Sequence, residues 1–215
     1  MKSHEALRRE ALRLHERYQR ELIERFSVCP WAGPARNHGR TRTHVVVEAT
    51  CAPEELSPVL ARWADDETVD VAFVIAPLFT AGYDAFSDWT SSIGQQQKAV
   101  FLTAPFHPVA PDSGGCIHFL RQAPDPTAQL VRRARLEEIR AQDPPHYTDI
   151  FNLDLRELES GKPPRAVAAS VLAHNERTIE REGRAALQRI LSDIHDDRQR
   201  TYAKLLGGSS VPRRL

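Results

Sequence analysis

The stretch VDVAFVIAPLF, residues 69–79, decides the fold. It is continuously apolar apart from Asp70, rich in β-branched residues and too short for a buried helix, so it reads as an interior strand covered on both faces. Working outward, HVVVEA (44–49) is short and β-branched and reads as a strand. Between them, Ser57 and Pro58 resemble an N-cap and first-turn pair, and Leu56, Val59, Leu60 and Trp63 share one helical stripe. After residue 79 a second helix is expected with Phe86, Trp89 and Ile93 inward. AVFLTAPF (99–106) then makes a third strand, and CIHFL (116–120) is a candidate further strand.

The alternation over residues 44–106 predicts an α/β or α+β fold, with a small sheet of three to five strands and helices packed on it. Right-handed crossovers would make neighbouring strands parallel. Upstream, Leu7, Ala11, Leu14, Tyr18, Leu22 and Phe26 recur every three or four positions, predicting one long N-terminal helix with a buried face that ends by Pro30. Downstream, a helix is expected from Pro126 to about Gln142, then a break at DPPHY. The last amphipathic stretch carries Val167, Val171, Ile179, Leu187, Ile190, Leu191, Ile194, Tyr202 and Leu205, and Gly183 divides it. This divides the chain into a core at 1–145 and a helical C-terminal extension at 146–215, whose apolar stripe needs either the core or a second subunit as partner.

Composition bounds the function. Lys+Arg and Asp+Glu are both 29 in 215 residues, so no global field favours nucleic acid or an anionic membrane, and any anion site is local. No apolar run approaches the roughly 20 residues that span a bilayer, and the first ten residues lack the apolar centre of a secretion signal; the expected location is cytoplasmic. Three cysteines, odd in number and irregularly spaced, argue against a disulfide framework.

The chemistry-bearing residues collect in proline-punctuated loops. FSVCPWAGPARNHGRTRTHVVV (26–47) places Cys29 between the long helix and the first strand, and FHP (106–108) places His107 just past the end of another strand, where ligands of α/β sheets gather. A thiol acts as nucleophile only when ionised, and an imidazole or guanidinium nearby favours ionisation. The alternative for both residues is structural: Cys29 filling a small core gap and His107 bonded to a carbonyl. Arginine forks recognise carboxylate and phosphate, and Arg42, Arg121 and Arg132 are the candidates to hold an anionic group. The helix expected after Pro126 would add its N-terminal amides. Cys29, Cys116, His107 and His118 offer a mixed thiolate and imidazole set for zinc or iron, but no CxxC or HExxH spacing supports it. No cofactor is identifiable: SIGQQQK and DSGGC follow no nucleotide-binding pattern, and no GxSxG elbow is present.

These motifs together resemble the bacterial family of domains of unknown function numbered fourteen-fifteen. The likeness lies in Cys29-Pro30-Trp31 with Gly39 and Arg42, in VFLTAPFHP (100–108), and in Pro124, Pro126, Thr127, Leu130 and Arg132. It covers roughly residues 12–140 and implies that Cys29, His107 and the arginines share one pocket; it supplies no reaction. The family pattern has Asn-Arg-Ser where this chain has Arg121-Gln122-Ala123, Tyr at Asp125 and His at Gln129. Three readings follow from the sequence: a small-molecule enzyme with Cys29 as nucleophile or ligand, His107 as general acid/base and an anionic substrate; a non-catalytic binding or scaffold protein that forms homo-oligomers through the C-terminal helices; and a metal-binding protein.

Overall fold

The computed structural model describes residues 2–29, 31–111, 120–135 and 175–207. The chain is a mixed α/β structure in which a four-stranded sheet is covered by helices on both faces. Helix α1 (Lys2–Tyr18) runs into a wider π-helical turn over Gln19–Glu24. The stripe read from the sequence is the buried face: Leu7, Ala11, Leu14, Tyr18, Leu22 and Phe26 all lie inside. The π turn widens that face, so the successive residues Leu22 and Ile23 are both buried. The chain leaves it at Ser27, the one described non-glycine residue with positive φ, at 52°.

Helix α2 (Ala32–Asn37) follows and stops at Gly39, whose φ of +67° closes a Schellman turn: the Gly39 amide donates to the Arg36 carbonyl (3.0 Å) and the Arg40 amide to that of Ala35 (2.8 Å). The turn delivers the chain into β1 (Thr41–Val45). After a 3-10 turn at Pro53–Leu56 come α3 (Ser57–Asp65), β2 (Val71–Ile75), α4 (Tyr83–Gln96) and β3 (Phe101–Phe106). All five residues of β2 are buried, as an interior strand requires. Phe86, Trp89 and Ile93 of α4 face inward as their spacing predicts.

The structure overturns one reading. The segment after Pro126 is a strand, β4 (Thr127–Arg132); helical residues appear only at 133–135, and the rest of the helix expected to Gln142 lies outside the described residues. It lies between β2 and β3, antiparallel to both, so the order is β1-β2-β4-β3 and only β1 and β2 are parallel neighbours. The expectation that successive strands would sit side by side fails for β2 and β3, because β4 takes the place between them. The strand expected at 116–120 falls mostly on residues outside the described set.

Side-chain alternation separates the two faces. Ala72, Val74, Val46, Phe101, Ala128 and Leu130 pack with α3 and α4. Val45, Val71, Phe73 and Ile75 face α1 and α2. On that second face lies α5 (Arg184–Leu205), preceded by helical residues 175–182 and separated from them by Gly183 at φ +82°. Leu187, Leu191, Ile194 and Tyr202 of α5 are buried within this chain, so this part of the C-terminal stripe finds its partner in the α/β core, while Val167 and Val171 lie outside the described residues. Asp193 and Asp197 hold α1: Arg17 bonds Asp193 (2.8 Å) and Asp197 (2.6 Å), and Arg13 bonds Asp197 (2.8 and 3.0 Å). Deeper in, Asp125 accepts from Arg198 Nε (2.6 Å) and Tyr202 Oη (2.8 Å), fixing α5 to the turn before β4.

Candidate functional site

Cys29 sits where the π turn gives way to α2, half-buried among Tyr18, Phe106 and neighbouring apolar residues. Gln129, on the α1-facing side of β4, points its Nε2 at the sulfur at 3.6 Å. The backbone amides of Trp31 and Ala32 face the same atom, and the Arg121 guanidinium, resting 5.8 Å from the Phe106 ring centroid, extends its positive field to Cys29 and to the Tyr18 hydroxyl. Burial pushes the thiol up to about 11; Gln129, the two amides and Arg121 each pull the other way and do not cancel it. Cys29 is therefore a neutral thiol at pH 7, inside a shell of donors that would stabilise negative charge arriving at or near the sulfur.

Tyr18 holds this corner together: its hydroxyl donates to the Leu120 carbonyl at 2.6 Å, one residue from Arg121. Among the described residues the Arg121 guanidinium has no carboxylate partner, in contrast to Arg36, which grips Glu24 with both branches, and Arg40, which does the same to Asp70.

The other residues singled out in the sequence lie elsewhere. His107 is 5% exposed, its ring packed against Phe86 (centroids 5.5 Å) and Tyr83 (6.3 Å), and its Nδ1 accepts the Val109 amide at 3.3 Å. Burial lowers it to about 4, helped by the charge of Arg198 and opposed by the Ala81 backbone, so it is neutral at pH 7. Among the described residues no hydrogen bond, ring contact or electrostatic interaction joins it to Cys29.

Arg132 lies on the opposite face of the sheet. It donates to the carbonyls of Val69 (2.6 Å), Trp63 (2.8 Å), Ala64 (3.2 Å) and Asp66 (2.8 Å), closing the end of α3, with its guanidinium 5.0 Å from the Phe101 ring centroid. Arg42 bonds the Gly39 and Thr41 carbonyls, Asp66 and Thr68. Of the three arginines only Arg121 is brought to Cys29. With a strand following Pro126, the helix amides expected there do not exist.

Cys116 and His118 lie outside the described residues, and among the described ones no group of three or more His, Cys, Asp and Glu side chains is placed to hold a metal.

Two features escaped the sequence reading. Gln129 was hidden because β4 was read as a helix; as a strand, Thr127, Gln129 and Val131 share one face, and the register sets Gln129 opposite Phe73 of β2. The second is a cleft of about 250 Å³ on the same face of the sheet, between α1, α2 and β1–β2, lined by His15, Phe73, Thr41 and Leu12 among others. His15 falls four residues after Ala11 and eight after Leu7, on the flank of the buried stripe, which is the signal that would have marked it.

No family model matches the chain, and no curated relative or solved structure is similar to it at a significant level. Among the described residues no helix is long and apolar enough to cross a membrane.

Proposed function

We propose that the protein is a small-molecule enzyme whose substrate carries a carboxylate or phosphate, held by Arg121 beside the Cys29 thiol. One observation carries the reading: a half-buried guanidinium with no carboxylate partner among the described residues lies within electrostatic reach of a sulfur already ringed by three N–H donors. A guanidinium left so is poised for an anion that supplies the missing bidentate partner. Cys29 is the reacting group in this reading, and Gln129 orients it. Of the segments that carry the family likeness, the site takes Cys29 from the first and Phe106 from the second, whereas Arg121 and Gln129 stand where this chain departs from the family pattern. The assembly reading is less well supported, because the apolar residues of α5 are buried in its own chain.

The test is a thermal-shift screen of small carboxylates and phosphates against the full chain and Arg121→Gln. A ligand at 100 times its Kd adds about 2.7 kcal/mol, or roughly 5–10 °C in Tm for a chain of this size. The reading expects a stabilising anion whose effect is lost in Arg121→Gln; equal shifts in the two proteins refute it.

A further inference from the structure

The cleft against α1 has a composition unlike that of the Cys29 corner. His15 is 7% exposed and lines it, yet among the described residues neither ring nitrogen has a protein partner. Thr41 Oγ1, on β1, is likewise buried with no partner among the described residues. Buried polar atoms are nearly always satisfied, so three orphans on two residues that line one opening ask for a partner that enters it. The floor is Phe73, whose ring meets that of His15 edge-on at 4.5 Å between centroids and 62° between planes; Ala32 and the exposed Leu12 add apolar wall and lip.

The charges around the opening are already spent. Glu24 is held bidentately by Arg36 (2.6 and 2.5 Å) and Glu16 by Arg20 (2.8 Å). Burial lowers His15 to about 4, leaving a neutral imidazole with one donor and one acceptor. A charged ligand would have to break one of these ion pairs; an uncharged one would not. The volume of about 250 Å³ exceeds the roughly 150 Å³ that holds benzene, which sets the size at one or two fused rings.

We propose that this cleft is a second binding site, which takes an uncharged, planar, one- or two-ring nitrogen heterocycle that offers one hydrogen-bond donor and one acceptor to His15 and Thr41 while its ring lies on Phe73. It rests on observations independent of Cys29 and Arg121. The two sites share one face of the sheet, and the register sets Phe73 of the cleft directly opposite Gln129 of the thiol corner. A heterocycle in the cleft would therefore lie one strand away from the anion site.

Benzimidazole, neutral above pH 7 with one N–H and one acceptor nitrogen, is the probe. Titrated into isotope-labelled full chain at pH 7.5, it should produce saturable shifts in the His15 ring, Thr41 and Phe73 signals. Leu12→Trp, which plugs the mouth from an exposed helix position and leaves the core untouched, should weaken binding at least about tenfold, as should His15→Phe; Thr41→Val should weaken it several-fold. Benzoate, of similar size but anionic, should bind at least about tenfold more weakly, and Arg121→Gln should bind benzimidazole like the unaltered chain. No saturable shift up to about 10 mM would overturn the proposal. So would shifts centred elsewhere, binding indifferent to Leu12→Trp, or equal affinity for benzoate. Loss of benzimidazole binding in Arg121→Gln would overturn the independence of the two sites.

Discussion

Replacing Arg198 by Ala should be among the most damaging single changes outside the apolar core. Arg198 and Asp125 are 5% and 1% exposed, and the guanidinium Nε lies 2.6 Å from Asp125 Oδ1. Its Nη2 also serves the Pro77 carbonyl at 3.2 Å, so three parts of the chain meet at this side chain: α5, the turn before β4 and the loop after β2. Truncation leaves the Asp125 carboxylate buried with the Tyr202 hydroxyl as its remaining side-chain donor, at 2.8 Å. Removing one partner of a buried pair costs about 3–5 kcal/mol, because the orphaned charge has no solvent to turn to. For a chain of this length that is a fall in Tm of roughly 6–20 °C. The assay is urea unfolding with Thr201→Ala, one turn away and half-buried, as reference. Exchanging both partners for apolar residues, Asp125→Leu with Arg198→Met, should recover most of the loss, since no charge then stays behind. An Arg198→Ala variant within about 1 kcal/mol of the parent would refute the argument, because it would mean that water reaches this pair.

Further outcomes follow from the same contacts. Arg132→Ala should cost about 2–4 kcal/mol by uncovering three carbonyls at the end of α3 and that of Val69 before β2, and Arg132→Lys should restore only part of it, since a single ammonium cannot reach them all; anion binding at Cys29 should be unchanged in folded Arg132→Lys, as ligand titration would show. Gly94→Ala should cost about 1–3 kcal/mol because a Cβ there would come 2.5 Å from Thr103 Oγ1, where α4 crosses β3, and adding Thr103→Ala should relieve it, checked by the unfolding midpoint of single and double variants. Stability should fall as pH drops from about 6.5 toward 4. His15 and His107 are held neutral in the fold with values near 4 while the unfolded chain takes up their protons near 6.5, so the folded state keeps its full advantage above 6.5 and loses it as pH falls toward 4. Each histidine contributes a slope of up to about 1.4 kcal/mol per pH unit, and His15→Phe should remove one such share from the pH dependence of urea unfolding.

Where local pattern and tertiary environment agree, the chain announces its fold. Leu7, Ala11, Leu14 and Tyr18 form a stripe because one face of α1 is buried, and 71–75 is uniformly apolar because helices cover both faces of β2. Thr127–Arg132 behaves differently. It is buried from 127 to 131, so it lacks the alternation of a half-exposed strand, and it runs directly into helical residues at 133–135. Its strand conformation is imposed by β2 and β3 on either side, partners far away in sequence. The site is affected in the same way. Cys29 and Arg121 could be named from residue type and loop position, whereas Gln129 depends on knowing the register of β4. Arg42 and Arg132 have the residue type of anion ligands and serve as clamps on backbone carbonyls, a difference that only the fold can express. His15 carries the spacing of the buried stripe, four residues after Ala11, but that its two nitrogens go unpaired beside a cleft depends on the tertiary fold.

The central claim, a guanidinium held ready for an anion beside a neutral thiol, is tested most directly by the charge preference of alkylation at Cys29. Iodoacetate and iodoacetamide differ in charge and little in size, and Cys51, partly exposed and flanked by Glu48 and Glu55, is an internal reference. With peptide mass as readout at pH 8, the rate ratio of iodoacetate to iodoacetamide should be at least about tenfold higher at Cys29 than at Cys51, and Arg121→Gln should bring the two ratios together. The same ratio at both cysteines, unmoved by Arg121→Gln, would contradict the account.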